Sequence, residues 1–155
     1  MKPGSGEVQA YSLRDGSLAD GVAVASVFRA AWAGMTYLPA LHTPEEDLAF
    51  FSGQLERYES IVGLAGEEVV AFAIHGEGWL RHLYISPAHQ ARGLGGQLLE
   101  RVKSRAAGGL QLWTFAPNHG AQRFYERHGF IVVETTDGSR NQEKVPDVRY
   151  QWTRS

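Results

Sequence analysis

The sequence contains no cysteine among its 155 residues. This absence excludes disulfide bonds, thiolate metal ligands and a cysteine nucleophile, and it suits a chain that works in a reducing cytosol. Any catalysis must therefore use hydroxyl, imidazole, carboxylate or amine groups.

Long apolar runs and a large excess of one charge are also missing. No stretch approaches the roughly 20 apolar residues that a membrane helix needs, and the N-terminal segment MKPGSGEVQAYSL has no apolar core of a secretion signal. The formal net charge is -2, which argues against the basic face that a phosphate backbone demands. We expect a cytoplasmic protein that binds neither membrane nor nucleic acid.

The histidines show no close ligand spacing with acidic partners, so the sequence predicts no metal site. The six of them are His42, His75, His82, His89, His119 and His128.

The chain has the length of one ordinary domain, residues 1–155, and its 43% hydrophobic content is enough for a core. Apolar periodicity predicts the element order β-α-α-β-β-β-α-β-α-β-β, which favours an α/β (α+β mixed-sheet) fold, one sheet flanked by helices. The pattern starts with a weak strand at Val8–Leu13. Helices are predicted from Ser17, paired with Asp20, and from Thr43-Pro44 with Glu46, because these residues form capping signals.

The middle of the chain carries the clearest pattern. Two strands flank Gly66-Glu67-Glu68 as a hairpin, and a strand from Trp79 to Ser86 is apolar on both faces. Further along, the remaining predicted elements are a helix from Leu94 to about Gly108, a strand at Leu110–Phe115, a helix opened by Pro117-Asn118 and stopped by Gly129, and closing strands at Phe130–Glu134 and Val148–Trp152.

Three glycines, Gly93, Gly95 and Gly96, lie where the Trp79–Ser86 strand leads into a helix. Glycine lets backbone N–H groups approach a ligand closely, and the helix dipole and Arg92 add positive charge, so the turn favours a phosphorylated ligand. The turn lacks the lysine of a P-loop and the third glycine of a dinucleotide fingerprint. A plain glycine-rich helix start, and an unrelated α/β domain holding another phosphorylated ligand, both stay open at this point.

The segment LYISPAHQARGLGGQLL resembles the signature of the GNAT superfamily, the acetyl-coenzyme A-dependent N-acetyltransferases. Its pattern Gln/Arg-x-x-Gly-x-Gly/Ala is met by Gln90, Gly93 and Gly95. The later segment NHGAQRFYERHGF is similar to the second motif of the family, and the resemblance is clearest from Glu77 to Val133. Ala91 stands where many members have glycine, and we expect little consequence.

This resemblance implies a GNAT-like acyl-coenzyme A N-acyltransferase fold with splayed central strands, and acetyl-CoA as the co-substrate. The cofactor arm would run along Leu83, Tyr84 and Ile85. The remaining cofactor contacts that the resemblance implies are Gln90, Ala91, Arg92, Gly93, Leu94, Gly95, Gly96, Asn118, Ala121 and Tyr125. Asn118 is equally suited to be a helix N-cap.

The implied chemistry is direct attack of an amine on a thioester. Tyr125 resembles the general acid of the family. Glu77 is the predicted base, because it has the same parity as Trp79 and Leu83 and shares their strand face if no bulge intervenes. His82 and His75 are alternative bases, and Glu77 between two glycines also fits a plain turn residue.

The acceptor site would be walled by the loop between the first two helices and by the 136–147 loop. Aromatic residues there suit a cationic amine, or else belong to the core, and Glu143 or Asp147 offers charge. The candidates are Trp32, Tyr37, Trp79 and Trp113. The identity of the amine is open, and a homodimer joined at the edge of the Val148–Trp152 strand is possible. A catalytically silent acyl-coenzyme A sensor of the same fold is the alternative function.

Overall fold

A computed structural model describes residues 10–154 of the chain. The helices are α1 (Gly21–Ala33), α2 (Pro44–Arg57), α3 (Leu94–Arg105) and α4 (His119–Arg127). The strands are β1 (Tyr11–Asp15), β2 (Glu59–Ala65), β3 (Glu68–Gly76), β4 (Trp79–Ile85), β5 (Gly109–Phe115), β6 (Ile131–Thr136) and β7 (Asp147–Thr153). The predicted order of helices and strands is confirmed, with short 3-10 turns added at Leu18–Asp20 and Pro87–His89.

These strands form one seven-stranded sheet in the order β1-β2-β3-β4-β5-β7-β6. β4 and β5 run parallel, and the other neighbouring pairs run antiparallel. Helices cover both faces, so the predicted mixed sheet flanked by helices is confirmed.

Two hydrophobic cores lie on opposite faces of the sheet. On one face, α3 buries Leu94, Leu98 and Leu99 against β2, β3, β4 and β5. On the other face, α1 and α2 bury Val24 and Phe51 against β2 and β3. We call these the α3/α4 face and the α1/α2 face.

The capping signals read from the sequence form the expected contacts. Thr43 Oγ1 accepts a hydrogen bond from the Glu46 amide at 3.1 Å, and the Thr43 amide donates to Glu46 Oε1 at 2.8 Å. The Ser17 amide donates to Asp20 Oδ2 at 2.9 Å, although α1 itself begins at Gly21 after a 3-10 turn. Both helix starts were therefore readable from local chemistry.

Two expectations about the strands need correction. The first strand is Tyr11–Asp15 rather than Val8–Leu13, and Val8 lies outside the described residues. The expectation that the last strand forms a sheet edge is wrong, because β7 pairs with β5 on one side and with β6 on the other. The edge strand on this side of the sheet is β6, where Ile131, Val132 and Val133 are exposed.

Two further features bear on the site. Within residues 10–154, no helix is both long enough and apolar enough to cross a membrane. The same part of the chain holds no group of three histidine or acidic residues that could bind a metal.

Candidate active site

The sheet opens between β4 and β5. These two strands pair at Trp79 and Gln111, and the Gln111 amide donates to the Gly78 carbonyl at 2.9 Å. Both strands lie wholly within the described residues, and no further backbone pairing joins them from there to their ends at Ile85 and Phe115. The predicted splaying of the central strands is therefore confirmed, and the gap widens toward the carboxyl ends of both strands.

Leu83 and Ile85 present backbone groups to this gap. The Ser86 amide donates to the Val70 carbonyl of the preceding strand at 2.8 Å. Because backbone groups alternate between the two sides of a strand, those of Tyr84 also face β3, whereas those of Leu83 and Ile85 face β5. The Ile85 carbonyl accepts a hydrogen bond from Gln90 Nε2 at 3.0 Å, so Gln90 fastens the following turn to the end of β4.

The glycine turn follows at the wide end of the gap. Gly93 adopts a left-handed conformation with φ of 86°, which glycine favours. A β-carbon on Gly95 would lie 3.0 Å from Ile85 Cδ1 and 3.4 Å from Phe124 Cζ. Glycine at this position therefore lets α3 pack closely against β4 and α4.

The N-terminus of α3 has no side-chain cap. Gly93 is the N-cap residue, and the first intrahelical bond is donated by the Gln97 amide to the Gly93 carbonyl at 3.2 Å. The amides of Leu94, Gly95 and Gly96 consequently have no partner within the helix. These N–H groups, with the exposed Arg92 beside them, suit the oxygens of a diphosphate.

Two of the other three helix N-termini are closed by side chains. Thr43 caps α2, and Asn118 caps α4 by accepting a hydrogen bond from the Ala121 amide at 3.1 Å. The predicted N-cap role of Asn118 is confirmed. The N-terminus of α1 has no side-chain cap either, but it continues the 3-10 turn Leu18–Asp20, so it differs from the glycine turn before α3.

Ala91 has an unusual backbone conformation. Its φ is 62°, a left-handed conformation that costs an alanine about 1–2 kcal/mol. Glycine at this position would avoid the strain. The expectation that alanine has little consequence for binding a phosphate stays a prediction.

Tyr125 lies on α4, and its side chain is buried on the α3/α4 face. Its ring is 8% exposed and packs against Phe130 and Tyr150. Among the described residues its hydroxyl makes no hydrogen bond. The hydroxyl still reaches solvent, unlike the two buried atoms without a partner, the Tyr37 hydroxyl and His75 Nε2. Burial, and secondarily the nearby Tyr84, raise the pKa of Tyr125, so the phenol keeps its proton at neutral pH.

Glu77 lies at the other end of β4. It occupies the turn before the strand with φ of 58°, its side chain is 64% exposed, and Oε1 pairs with Arg81 Nη2 at 3.1 Å. The predicted shared face with Leu83 is wrong, because β4 has one extra residue between its pairings of Leu80 with His75 and of His82 with Ile74. This β-bulge at Arg81 changes the side-chain parity within the strand.

The bulge divides the side chains of β4 between the two faces. Leu80, Leu83 and Ile85 pack on the α3/α4 face, whereas Tyr84 and His82 pack on the α1/α2 face. Glu77 therefore lies in the turn at the paired end of β4 and β5, off the face of Leu83, and its role as the base stays a prediction.

His82 is a titratable side chain on the α1/α2 face, next to the gap. Its Nε2 is 3.2 Å from Gln54 Oε1, and its ring contacts those of Phe50, Phe51 and Tyr84. Desolvation in this aromatic surrounding, with a smaller effect of the Arg81 charge, lowers the pKa of His82 to about 4. The imidazole is therefore neutral at pH 7.

His75 lies near the far end of β3, where it pairs with Glu59. It is 5% exposed, its Nε2 has no hydrogen-bond partner, and burial lowers its pKa. Because it lies at the paired end of the strands, it is remote from the open part of the gap.

Trp32 and Tyr37 occupy the α1/α2 side of β5. Both rings contact Phe115 edge-on, and Trp32 Nε1 donates to the Pro39 carbonyl at 3.1 Å. The Tyr37 hydroxyl is enclosed without a partner, and burial raises its pKa. These residues form the wall between the α1–α2 loop and the sheet.

The 136–147 loop lies opposite the α1–α2 loop. His42 Nε2 is 3.3 Å from Gln142 Oε1, which bridges the two loops. Asp147 accepts hydrogen bonds from Asn141 Nδ2 at 3.2 Å and from the Thr136 hydroxyl, so it holds the loop together. The partly buried Glu143 lies near enough to Tyr84 to raise the pKa of that phenol further after burial.

Trp79 and Trp113 line a second part of the same face. They border a pocket of about 340 Å³ with Phe50 and Gln54 of α2. The sequence analysis missed Phe50 and Gln54. Their spacing of four residues on a helix was a usable signal, because it places them on one helix face.

Comparison with known proteins identifies the family of the chain. The model of the acetyltransferase (GNAT) family matches residues 24–130. None of the curated protein sequences matches the chain.

Several solved structures share the fold. A GCN5-related N-acetyltransferase from Rhodopseudomonas palustris superposes with a TM-score of 0.79 at 19% identity, covering 96% of this chain and 98% of that one. The ribosomal-protein-S18-alanine N-acetyltransferase from Escherichia coli gives 0.74 at 21% identity, covering 93% and 94%. The acetyltransferase yncA from Salmonella typhimurium, solved with acetyl-CoA, gives 0.71 at 20% identity, covering 93% and 94%.

The chain belongs to the acetyltransferase (GNAT) family. Its fold and its family define it as an acyltransferase.

Proposed function

We propose that this protein transfers the acetyl group of acetyl-CoA directly to the primary amine of an acceptor in a ternary complex. One observation carries the proposal. The gap between β4 and β5 ends at the uncapped amides of α3, and the unpaired phenol of Tyr125 lies on the same face.

The residues at the glycine turn fit the cofactor. The amides of Leu94, Gly95 and Gly96 would hold the diphosphate, with Arg92 adding charge. The backbone of Leu83 in the gap would pair with the amides of the cofactor arm. Acetyl-CoA supplies an acetyl thioester, whose thiolate is the leaving group.

Tyr125 would act as the general acid. Because burial raises its pKa, the hydroxyl is protonated at neutral pH and can give its proton to the departing sulfur. Its ring is fixed by Phe130 and Tyr150, so the position of the hydroxyl is set by the core.

The acceptor would approach from the α1/α2 face, opposite to α3. On that face we propose His82 in place of Glu77 as the group that receives the proton of the amine. His82 adjoins the gap and is neutral at pH 7, so it can accept a proton, and its low pKa means that it passes the proton on rather than keeping it. Glu77 is exposed and paired with Arg81. Glu143 is the carboxylate that would attract an ammonium group to the mouth of the site.

Release of free thiol from acetyl-CoA in the presence of single amines tests this function. We expect turnover with at least one amine class, and Tyr125→Phe should lower kcat about 10²–10⁴-fold with little change in KM for acetyl-CoA. Phe keeps the packing of the ring, so an unaltered thermal midpoint would exclude misfolding. A chain that binds coenzyme A but is inactive on every amine class would contradict the proposal and support an acyl-coenzyme A sensor.

His82→Gln and Glu77→Gln compare the two proposed bases. The first substitution should lower kcat and alter its pH profile, and the second should leave both unchanged. The opposite pattern would restore Glu77 as the base.

A further inference from the structure

The pocket beside Trp79 and Trp113 lies next to the closed end of the gap. It is on the α1/α2 face and extends from β4 to β5 just beyond the pairing of Trp79 with Gln111. At this point the two strands begin to separate. The pocket is therefore continuous with the closed end of the gap and lies on the face opposite to the α3 amides.

The side walls of the pocket are aromatic. Phe50 and Trp113 are 50% and 42% exposed, and Trp79 of β4 lines the same pocket. Large apolar rings converging on one concave surface are a common feature of small-molecule sites. A flat apolar group placed among them would remove their faces from water.

The polar residues of the pocket set its charge. Its lining contains Gln54, the neutral His82 and Arg81, and no carboxylate. The guanidinium of Arg81 is held by the Gly76 carbonyl at 3.3 Å and lies 3.9 Å from the centre of the Tyr58 ring. Glu77 pairs with it from outside the lining. The carboxylate of Glu77 therefore offsets the charge of Arg81, and the guanidinium lies beside Gly76 and Tyr58, which do not line the pocket.

The aromatic lining decides which acceptor fits. Aromatic rings suit either a flat apolar group or a cation. Of the two, the flat group removes more of the exposed faces of Phe50 and Trp113 from water.

We propose that this pocket binds the aromatic body of the acceptor, a primary arylalkylamine. The inference rests on the proposed acetyl transfer, for which it names the substrate class. The ring of the acceptor lies between Trp79, Trp113 and Phe50, and its amine points into the gap.

Turnover of matched amines tests the substrate class. The probes are 2-phenylethylamine, hexylamine and spermidine, each with acetyl-CoA at saturation. We expect kcat/KM for 2-phenylethylamine to exceed that for spermidine at least 10-fold and that for hexylamine by a smaller factor. A preference for spermidine would overturn the inference while leaving the acetyl transfer intact.

Variants at Trp113 test the pocket itself. Trp113→Ala should raise KM for 2-phenylethylamine about 10-fold without changing KM for acetyl-CoA, and Trp113→Phe should restore most of the affinity. Ile131→Ala, at an exposed apolar residue of β6, is the matched control and should have no effect. An unchanged KM for the amine in Trp113→Ala would overturn the inference.

Binding measured without turnover distinguishes a failure of the pocket assignment from a failure of the acetyl transfer. Titration with 2-phenylethylamine should quench the tryptophan fluorescence of the wild-type chain, and the quenching should be lost in Trp113→Ala. If no amine is acetylated but this quenching occurs, the pocket assignment survives and the transfer fails. If quenching is absent, the pocket assignment fails whatever the activity.

Discussion

Protonation of His82 should control the stability of the fold in mild acid. The folded protein lowers the pKa of His82 to about 4, whereas an unfolded histidine titrates near 6.5. As the pH falls below about 6.5, the unfolded chain binds a proton that the folded chain excludes. The free energy of unfolding therefore falls from about pH 6.5 down to about pH 4 and loses no more from this group below that pH.

The size of this effect follows from the difference in pKa. A difference of about 2.5 pH units corresponds to about 3 kcal/mol, since each unit is worth 1.36 kcal/mol. Urea unfolding of the wild type and of His82→Phe at pH 7.5 and pH 4.5 measures it. Phe retains an aromatic ring among Phe50, Phe51 and Tyr84 but cannot titrate.

The difference between the two proteins isolates His82, because the other acid-sensitive groups, such as the buried His75, are present in both. We expect the wild type to lose about 2–3 kcal/mol more than His82→Phe over this pH range. Equal losses in the two proteins would show that the imidazole is not excluded from protonation and would refute the reasoning.

Two further perturbations have effects that follow from local geometry. Ala91→Gly should stabilise the fold and Gly93→Ala should destabilise it, each by about 1 kcal/mol, because both residues have positive φ. Urea unfolding measures both changes, and effects of the same sign would contradict the left-handed geometry of the turn. Thr43→Ala removes the hydroxyl that accepts a hydrogen bond from the Glu46 amide and should lower the free energy of unfolding by about 1 kcal/mol. Val22→Ala, at an exposed residue of α1, is the control and should lower it less. Equal losses of stability would argue against the cap.

Local signals in the sequence were sufficient for much of this fold. The Thr43-Pro44-Glu46 start of α2 depends on contacts within four residues, so the residue types alone predict it. The same holds for the hairpin around Gly66 and for the stop at Gly129, whose φ is 90°. The glycine turn could be predicted because few residues other than glycine adopt the left-handed conformation of Gly93.

The features that the sequence could not supply depend on pairing between distant segments. The bulge at Arg81 exists only in the register of β4 against β3, and it removed the basis for placing Glu77 in the site. The position of β7 inside the sheet likewise depends on its pairing with β6 and β5. The aromatic pocket joins Phe50 of α2 to Trp113 of β5, two residues far apart in the chain.

Calorimetric titration with coenzyme A and with pantetheine, which lacks the diphosphate, tests the central claim that the open amides at the start of α3 hold a diphosphate. We predict a Kd for coenzyme A in the micromolar range or below, and an affinity for pantetheine at least about 100-fold weaker. Equal affinities for the two ligands, or no binding of coenzyme A at millimolar concentration, would contradict the account.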